Sequence, residues 1–253
     1  MAPPYYESDR ALSEYLLFHY GSAPEILPNG FGPADAIGFA VRAVSECLDR
    51  SNLPKAARAL DLGCAVGRST FELARHCLEV IGIDRSRRFI EVARALQARG
   101  AIEFSHTDEG ELRASSQARV ASEIDRARVS FEEGDAQNPR SGLGSFDVVL
   151  MANLIDRLPD PRRCLEALPP LLRSGGQLIV TSPYTWLEEY TPRTKWLGGF
   201  LKDGRPFRTL DGLREILSGQ FEFRGTKELP FLIREHGRKF QWSVAQASCW
   251  RRR

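Results

Sequence analysis

The sequence predicts a doubly wound α/β fold with a mainly parallel sheet, and three observations carry that prediction. Short apolar runs alternate with helical stretches from residue 57 to residue 182, the rhythm of strand–helix–strand units. A glycine-bearing turn, Asp61-Leu62-Gly63-Cys64-Ala65-Val66-Gly67, sits between an expected strand and an expected helix. The chain then ends on two extended runs joined near Gly237, which predicts an antiparallel pair at one edge of the sheet.

The first helix is expected over Asp9–Tyr20, where Ser8 or Asp9 can cap it and Leu12, Tyr15, Leu16 and His19 recur at helical spacing. A Gly/Pro-rich loop follows over Gly21–Pro33. A second helix, Ala34–Arg50, carries Ile37, Val41, Val44 and Leu48 on one face. Strand Ala57–Leu62 then leads through the glycine turn into helix Ser69–His76. Strand Glu79–Ile83 is closed by Asp84, and helix Ser86–Arg99 turns Phe89, Ile90, Ala93 and Leu96 inward. Residues 101–125 are polar and break the rhythm. Thr107–Gly110 reads as a turn between Ile102–His106 and Glu111–Ser115, a small hairpin insertion of peripheral character. The remaining elements are strands Arg128–Glu132 and Phe146–Met151, helix Pro161–Leu172, strand Gly176–Ser182, helix Leu210–Ser218, and strands Phe221–Ile233 (interrupted at Pro230) and Phe240–Trp250. One domain over residues 1–253 is expected, with residues 1–56 as a helical cap or lid and 57–253 as the core.

The chain has 253 residues, 42% hydrophobic and 27% charged, enough apolar content for a large core without a metal or disulfide staple. A net charge of +2 is too weak an imbalance to predict a nucleic-acid partner. Five cysteines (Cys47, Cys64, Cys77, Cys164, Cys249) form no CxxC pair, which argues against a zinc site or disulfide framework and for a reducing compartment. The N-terminal residues Met1–Glu7 show no leader pattern, and no run approaches the ~20 apolar residues that span a bilayer. A soluble, cytoplasmic protein without a membrane partner is expected.

The chemistry-bearing residues fall on consecutive strand ends. Gly63 and Gly67 permit positive φ and let a ligand approach the backbone, and the helix after them offers its positive end. A nicotinamide fingerprint would place glycine where Ala65 stands, and Asp61 suits a ligand with an ammonium group. Asp84, with Arg85 beside it, ends the second strand where a carboxylate accepts from ribose hydroxyls. Asp135 and Ala136 follow the third strand, where an Asp can accept from an adenine amino group, and Asn153 lies just past the fourth. Together with Cys64 in the turn, these residues predict S-adenosyl-L-methionine as cofactor and no metal.

These motifs, with Leu172-Arg173-Ser174-Gly175-Gly176, resemble the class I methyltransferase family over Ala57–Ser182, which implies a seven-stranded Rossmann-like sheet. Three flanks are more particular: Tyr5–Asp9 with Leu12–Gly21, Thr181–Glu189, and Ile233–Trp242. They are similar to the methyltransferase of ovothiol biosynthesis, which methylates a ring nitrogen of 5-thiohistidine. That resemblance implies a partner activity, a separate iron-dependent sulfoxide synthase, because this chain carries no preceding His-rich iron-binding region.

A thiohistidine acceptor has a flat ring, an anionic sulfur, an ammonium and a carboxylate. Tyr184 and Trp186 can wall a flat pocket. Arg234, Arg238 or Lys239 can hold the carboxylate, and Glu188 or Asp156 the ammonium. Asp156 is expected to orient or deprotonate the ring, with His236 as the histidine placed in a polar turn. Tyr15 and His19 on the first helix are expected at the mouth, while His76 and His106 read as surface residues. Methylation of another small aromatic or amino-acid acceptor, and cofactor binding without catalysis, remain alternatives.

Overall fold

The computed structural model describes residues 4–253; Met1–Pro3, on which the expectation of no leader partly rests, lie outside the described residues. In chain order the elements are α1 (Asp9–Tyr20), α2 (Ala23–Ile26), α3 (Phe39–Ser45), β1 (Arg58–Leu62), α4 (Arg68–Leu73), β2 (Glu79–Asp84) and α5 (Arg87–Arg99). Next come β3 (Ala101–Glu109), β4 (Leu112–Arg119), β5 (Val129–Glu133), β6 (Phe146–Ala152), α6 (Pro161–Glu166) and β7 (Leu172–Ser182). The chain continues through β8 (Phe200–Lys202), β9 (Arg205–Phe207), α7 (Thr209–Leu217), β10 (Phe221–His236) and β11 (Lys239–Arg252).

Seven strands form one sheet in the order β10-β11-β7-β6-β1-β2-β5. β1 pairs in parallel with both β2 and β6, while β11 runs antiparallel to β7 and β10. From β1 the chain winds outward through β2 to β5, then returns to β6 on the other side. That reversal opens a crevice at the carboxyl ends of β1 and β6, where open α/β sheets bind ligands. Helices cover both faces: Leu16, Val44, Phe71, Phe89 and Phe131 fill one core, and Leu60, Phe146, Leu165, Leu213 and Trp250 the other.

Local chemistry explains most element ends. Ser86 Oγ accepts from the Phe89 amide at 3.2 Å, capping α5, and Phe89, Ile90, Ala93 and Leu96 are buried as their spacing predicts. Ser8 caps α1 through the Ala11 amide.

Four departures have physical causes. The helix expected over 34–50 is split, because Gly38 takes φ +70° and Phe39–Ser45 alone continues as α-helix. The helix from Pro161 stops at Glu166, ahead of Pro169 and Pro170, which lack the amides to continue it. Pro230 does not interrupt β10: the strand is at the sheet edge, where a missing donor is tolerated, and its carbonyl accepts from the Arg42 guanidinium. The loop after α1 contains α2, where Glu25 Oε2 accepts from the Ser22 amide at 2.8 Å.

The hairpin insertion forms as β3–β4, with His106 opposite Ala114. It is not peripheral. The hairpin packs against α1 and β10, and His106 is buried with its Nε2 3.1 Å from Ser116 Oγ. Among the described residues no helix is long and apolar enough to cross a membrane.

Candidate active site

A cavity of about 370 Å³ lies over the carboxyl ends of the central strands. One wall is the turn after β1. Gly63, Ala65 and Gly67 all have positive φ (+76°, +47° and +84°). At Gly63 a side chain would sit 2.9 Å from Leu154 Cδ1, and at Gly67 2.7 Å from the Phe131 ring, so each position requires glycine. Gly63 and Ala65 line the cavity, whereas Gly67 and the buried Cys64 support the turn from behind. The Gly63 and Cys64 amides donate to the Ile83 carbonyl and the Gly67 amide to the Cys64 carbonyl. The turn therefore offers a ligand its shape more than these amides, which suits a cofactor without a phosphate at this point.

Asp84 stands at the tip of β2 and lines the cavity. Its carboxylate accepts from the Ala65 amide at 2.9 Å and the Ser86 amide at 2.8 Å. Burial pushes its carboxyl up to about 6. Arg85, Asp135, Ala136 and Asn153 line the same cavity. Asp135 Oδ1 accepts from the Gln137 amide, and Asn153, at φ +51°, has its side chain fixed by Thr181 Oγ1 at 2.9 Å.

Asp61 departs from its expected role as a direct ammonium contact. It is fully buried beneath the wall, where its Oδ2 accepts from Ser69 and Thr70 at 2.7 Å each. Ser69, not Asp61, reaches the cavity. Burial pushes the Asp61 carboxyl up to about 6.

The opposite wall is aromatic and charged. α1 contributes Tyr15 and His19, as expected. Tyr15 lies 4.9 Å from the Phe89 ring and stacks with His19 at 5.8 Å. Burial, helped by the Arg68 charge, holds His19 down to about 3, so its ring is neutral. Asp156 is buried in this wall, with Oδ2 accepting from Arg157 Nη1 at 2.9 Å and from the Thr185 amide at 3.1 Å. Burial raises its carboxyl above the usual range.

The remaining predicted acceptor residues are not brought together. Tyr184 donates to Gln246 Oε1 at 3.1 Å, outside the cavity. Trp186 is core, its Nε1 bonded to Thr209 Oγ1 and its ring stacked on Trp196. Glu188 is exposed and lines nothing, whereas its neighbour Glu189 does line the cavity. Arg234 is buried on the far side of β10, tied to the Glu25 carbonyl at 2.5 Å and to Asp108 at 2.8 Å. Lys239 pairs with Glu235. His236 lies at the β10–β11 turn, outside the cavity, where its Nδ1 accepts from the Arg238 amide; a catalytic role there is not supported by its position.

Sequence reasoning missed Tyr6, Arg157, Tyr190, Phe231 and Gln241, all of which line the cavity. Of these the flanks contained only Tyr6 and Gln241, and alternation alone does not say which of two neighbours faces inward.

Among the buried polar atoms of the described residues that lack a partner, three belong to this region: His19 Nδ1, Asp156 Oδ1 and Asp61 Oδ1. The first two line the cavity and the third lies beneath it. With carboxylates at two strand tips, this set of acceptors fits a ligand bearing hydroxyl and amino groups as donors. Among the described residues no cluster of His, Cys, Asp or Glu could hold a metal.

A family model described as a methyltransferase domain matches residues 53–198, more than half of the chain. Ubiquinone biosynthesis O-methyltransferase of Xanthomonas euvesicatoria pv. vesicatoria is 29% identical over 126 residues, 50% of this chain and 43% of that protein. Methyltransferase GfsG of Streptomyces halstedii is 28% identical over 163 residues, 64% of this chain and 49% of that one. The chain thus spans about half the length of these curated relatives. Among solved structures, an S-adenosylmethionine-dependent methyltransferase from Methanosarcina mazei has a TM-score of 0.53 and 19% identity, over 80% of this chain and 95% of that one. The [4+2]-cyclase SpnF has a TM-score of 0.56 and 15% identity over 99% and 97%; both likenesses concern the fold. The matched region spans β1, β2, β5, β6 and β7 with the glycine turn and both strand-tip carboxylates. The chain belongs to the S-adenosylmethionine-dependent methyltransferase domain family, and S-adenosylmethionine is its cofactor.

Proposed function

We propose that the chain methylates a ring nitrogen of 5-thiohistidine, using S-adenosylmethionine, to form ovothiol. One observation carries the reading: the three flanks that resemble the ovothiol enzyme converge on one cavity. Tyr6, Tyr15 and His19 come from the first, Thr185 and Glu189 from the second, and Ile233 and Gln241 from the third.

Asp84 and Arg85 would hold the ribose end of the cofactor, and Asp135 with Ala136 the adenine. Gly63 and Asn153 would border its methionine end. When bound, S-adenosylmethionine supplies a methyl group already activated by its sulfonium. The chain's own contribution is alignment, which by itself removes much of the barrier. Tyr6, Tyr15 and Tyr190 wall a slot for a flat ring and exclude water. Asp156 has an unpartnered Oδ1, and burial raises its carboxyl above the usual range, which suits it to take a ring proton. In this reading residues 1–56 cap a core of 57–253, and a separate iron-dependent sulfoxide synthase in the cytoplasm provides the thiohistidine.

The test is incubation of the protein with labelled S-adenosylmethionine and 5-thiohistidine, followed by mass spectrometry and NMR of the product. A ring-methylated product is expected. An inert thiohistidine, with turnover of a catechol instead, replaces this acceptor by a phenol. Cofactor binding with no turnover of any acceptor makes the chain a non-catalytic binding module.

A further inference from the structure

We infer that the acceptor side of the cavity is a carboxylate subsite built on Arg157, so that the natural acceptor is a small acid. The inference rests on the methyl-transfer reading and deepens it by naming the acceptor's charged group.

Arg157 lies in the turn just past β6 and lines the cavity, with about a quarter of its side chain exposed. Its orientation is set from one side. Nη1 donates to Asp156 Oδ2 at 2.9 Å, to the Asp156 carbonyl at 3.0 Å and to the Thr185 carbonyl at 3.0 Å. Its Cζ sits 4.9 Å from the centre of the Tyr190 ring, and the Tyr6 hydroxyl lies beside it. Apart from that hydroxyl, no described protein group accepts from Nε or Nη2. A guanidinium anchored through one nitrogen, flanked by aromatic rings and open on the other edge, matches a bidentate carboxylate.

The other cations do not compete for this role. Arg85 is exposed beside Asp84 at the cofactor end, and Arg234 is consumed by Glu25 and Asp108. Asp156 Oδ2 holds Nη1 so that the far edge faces the acceptor, while its Oδ1 remains unpartnered for the ring proton. Glu189 lines the same mouth and places a negative charge where an amino-acid acceptor carries its ammonium.

The experiment compares matched acceptors with and without a carboxylate: 5-thiohistidine against 5-thiohistamine, and 3,4-dihydroxybenzoate against catechol. In the wild type the carboxylated member of a productive pair should have a kcat/KM at least ~10-fold higher, the size of one charge-assisted contact. Arg157→Ala should abolish that preference, lowering kcat/KM at least ~10-fold more for the carboxylated member than for the uncarboxylated one, and chiefly through KM. Arg157→Lys should keep part of it, and both variants should bind S-adenosylhomocysteine within about 3-fold of wild type, which also shows that they fold.

Equal use of both members by the wild type overturns the inference, as does turnover of neither pair. So does a loss of S-adenosylhomocysteine affinity beyond ~10-fold in Arg157→Lys, which would assign the guanidinium to the cofactor. If thiohistidine is inert but dihydroxybenzoate is preferred over catechol, the thiohistidine reading fails and the carboxylate subsite stands.

Discussion

The amide of Ala65 donates to the carboxylate of Asp84 at 2.9 Å, tying the turn after β1 to the tip of β2. The bond holds Ala65 in a left-handed conformation at φ +47°, which non-glycine residues adopt only under constraint. It also fixes one carboxylate oxygen while leaving lone pairs for a ligand.

Asp84→Ala should therefore weaken S-adenosylhomocysteine binding by roughly 10- to 100-fold, since it removes both ligand acceptors and the brace on the turn. Arg85→Ala, exposed beside it, should cost no more than about 3-fold. Titration calorimetry on both variants checks this, and comparable losses would mean that the ribose lies elsewhere.

Asp61 gives a pH signature. Its carboxyl is pushed from 3.8 up to about 6 by burial, so the folded protein binds a proton more tightly than the unfolded chain. Such a group favours the fold below about pH 4, and that contribution is lost as pH rises through 6. Asp61→Asn lacks the titration. Its melting temperature relative to wild type should therefore rise between pH 4.5 and pH 7.5, by the equivalent of up to about 3 kcal/mol. A constant offset would show that the carboxyl is not shifted.

His19 behaves in the opposite sense. With its folded value near 3, the unfolded chain takes up a proton first, and the contribution to stability present above pH 6.5 is lost as pH falls toward 3. In His19→Gln that acid-side loss should disappear. Melting curves at pH 4.5 and 7.5 should show the variant gaining on wild type at the lower pH, a trend separable from that of Asp61 by its sign.

Gly67→Ala should destabilise the protein by about 2 kcal/mol or more. It combines a φ of +84° with a side-chain carbon 2.7 Å from the Phe131 ring, so both backbone strain and overpacking oppose it. Denaturant unfolding measures the loss; a change below 0.5 kcal/mol would mean that the turn is not held in this shape.

Arg234→Met and His236→Ala should separate structure from chemistry. Arg234 is buried and bridges α2, the β3–β4 hairpin and β10, so its removal should lower stability by about 2–4 kcal/mol. His236→Ala should leave kcat/KM within about 2-fold. A hundredfold loss of turnover in a folded His236→Ala would restore this histidine to the catalytic machinery.

The misplaced acceptor residues share a pattern. Pro183 and Thr185 line the cavity, not Tyr184 and Trp186; Glu189 does, not Glu188; Ile233 does, not Arg234. These misses are shifts of one residue, the step that moves a side chain to the opposite face of an extended segment; His236 and Lys239 are different, for no immediate neighbour of either lines the cavity. Near the sheet both faces are covered, so hydrophobic alternation does not mark which neighbour faces the ligand.

By itself the sequence determined what short-range chemistry controls: the alternation of strands and helices, the glycine turn, and carboxylates at the tips of β2 and β5. Those features depend on periodicity and backbone freedom within a few residues. Only the tertiary structure decided which charged groups meet across the cavity. The facing of Phe231, Ile233, Gln241 and Ser243 comes from the register of β10 against β11, and the placing of Tyr15 and His19 from the packing of α1 on the hairpin insertion. Arg157 lines the cavity, and Arg234 faces a buried carbonyl because segments far apart in the chain, α2 and the hairpin insertion, claimed Arg234.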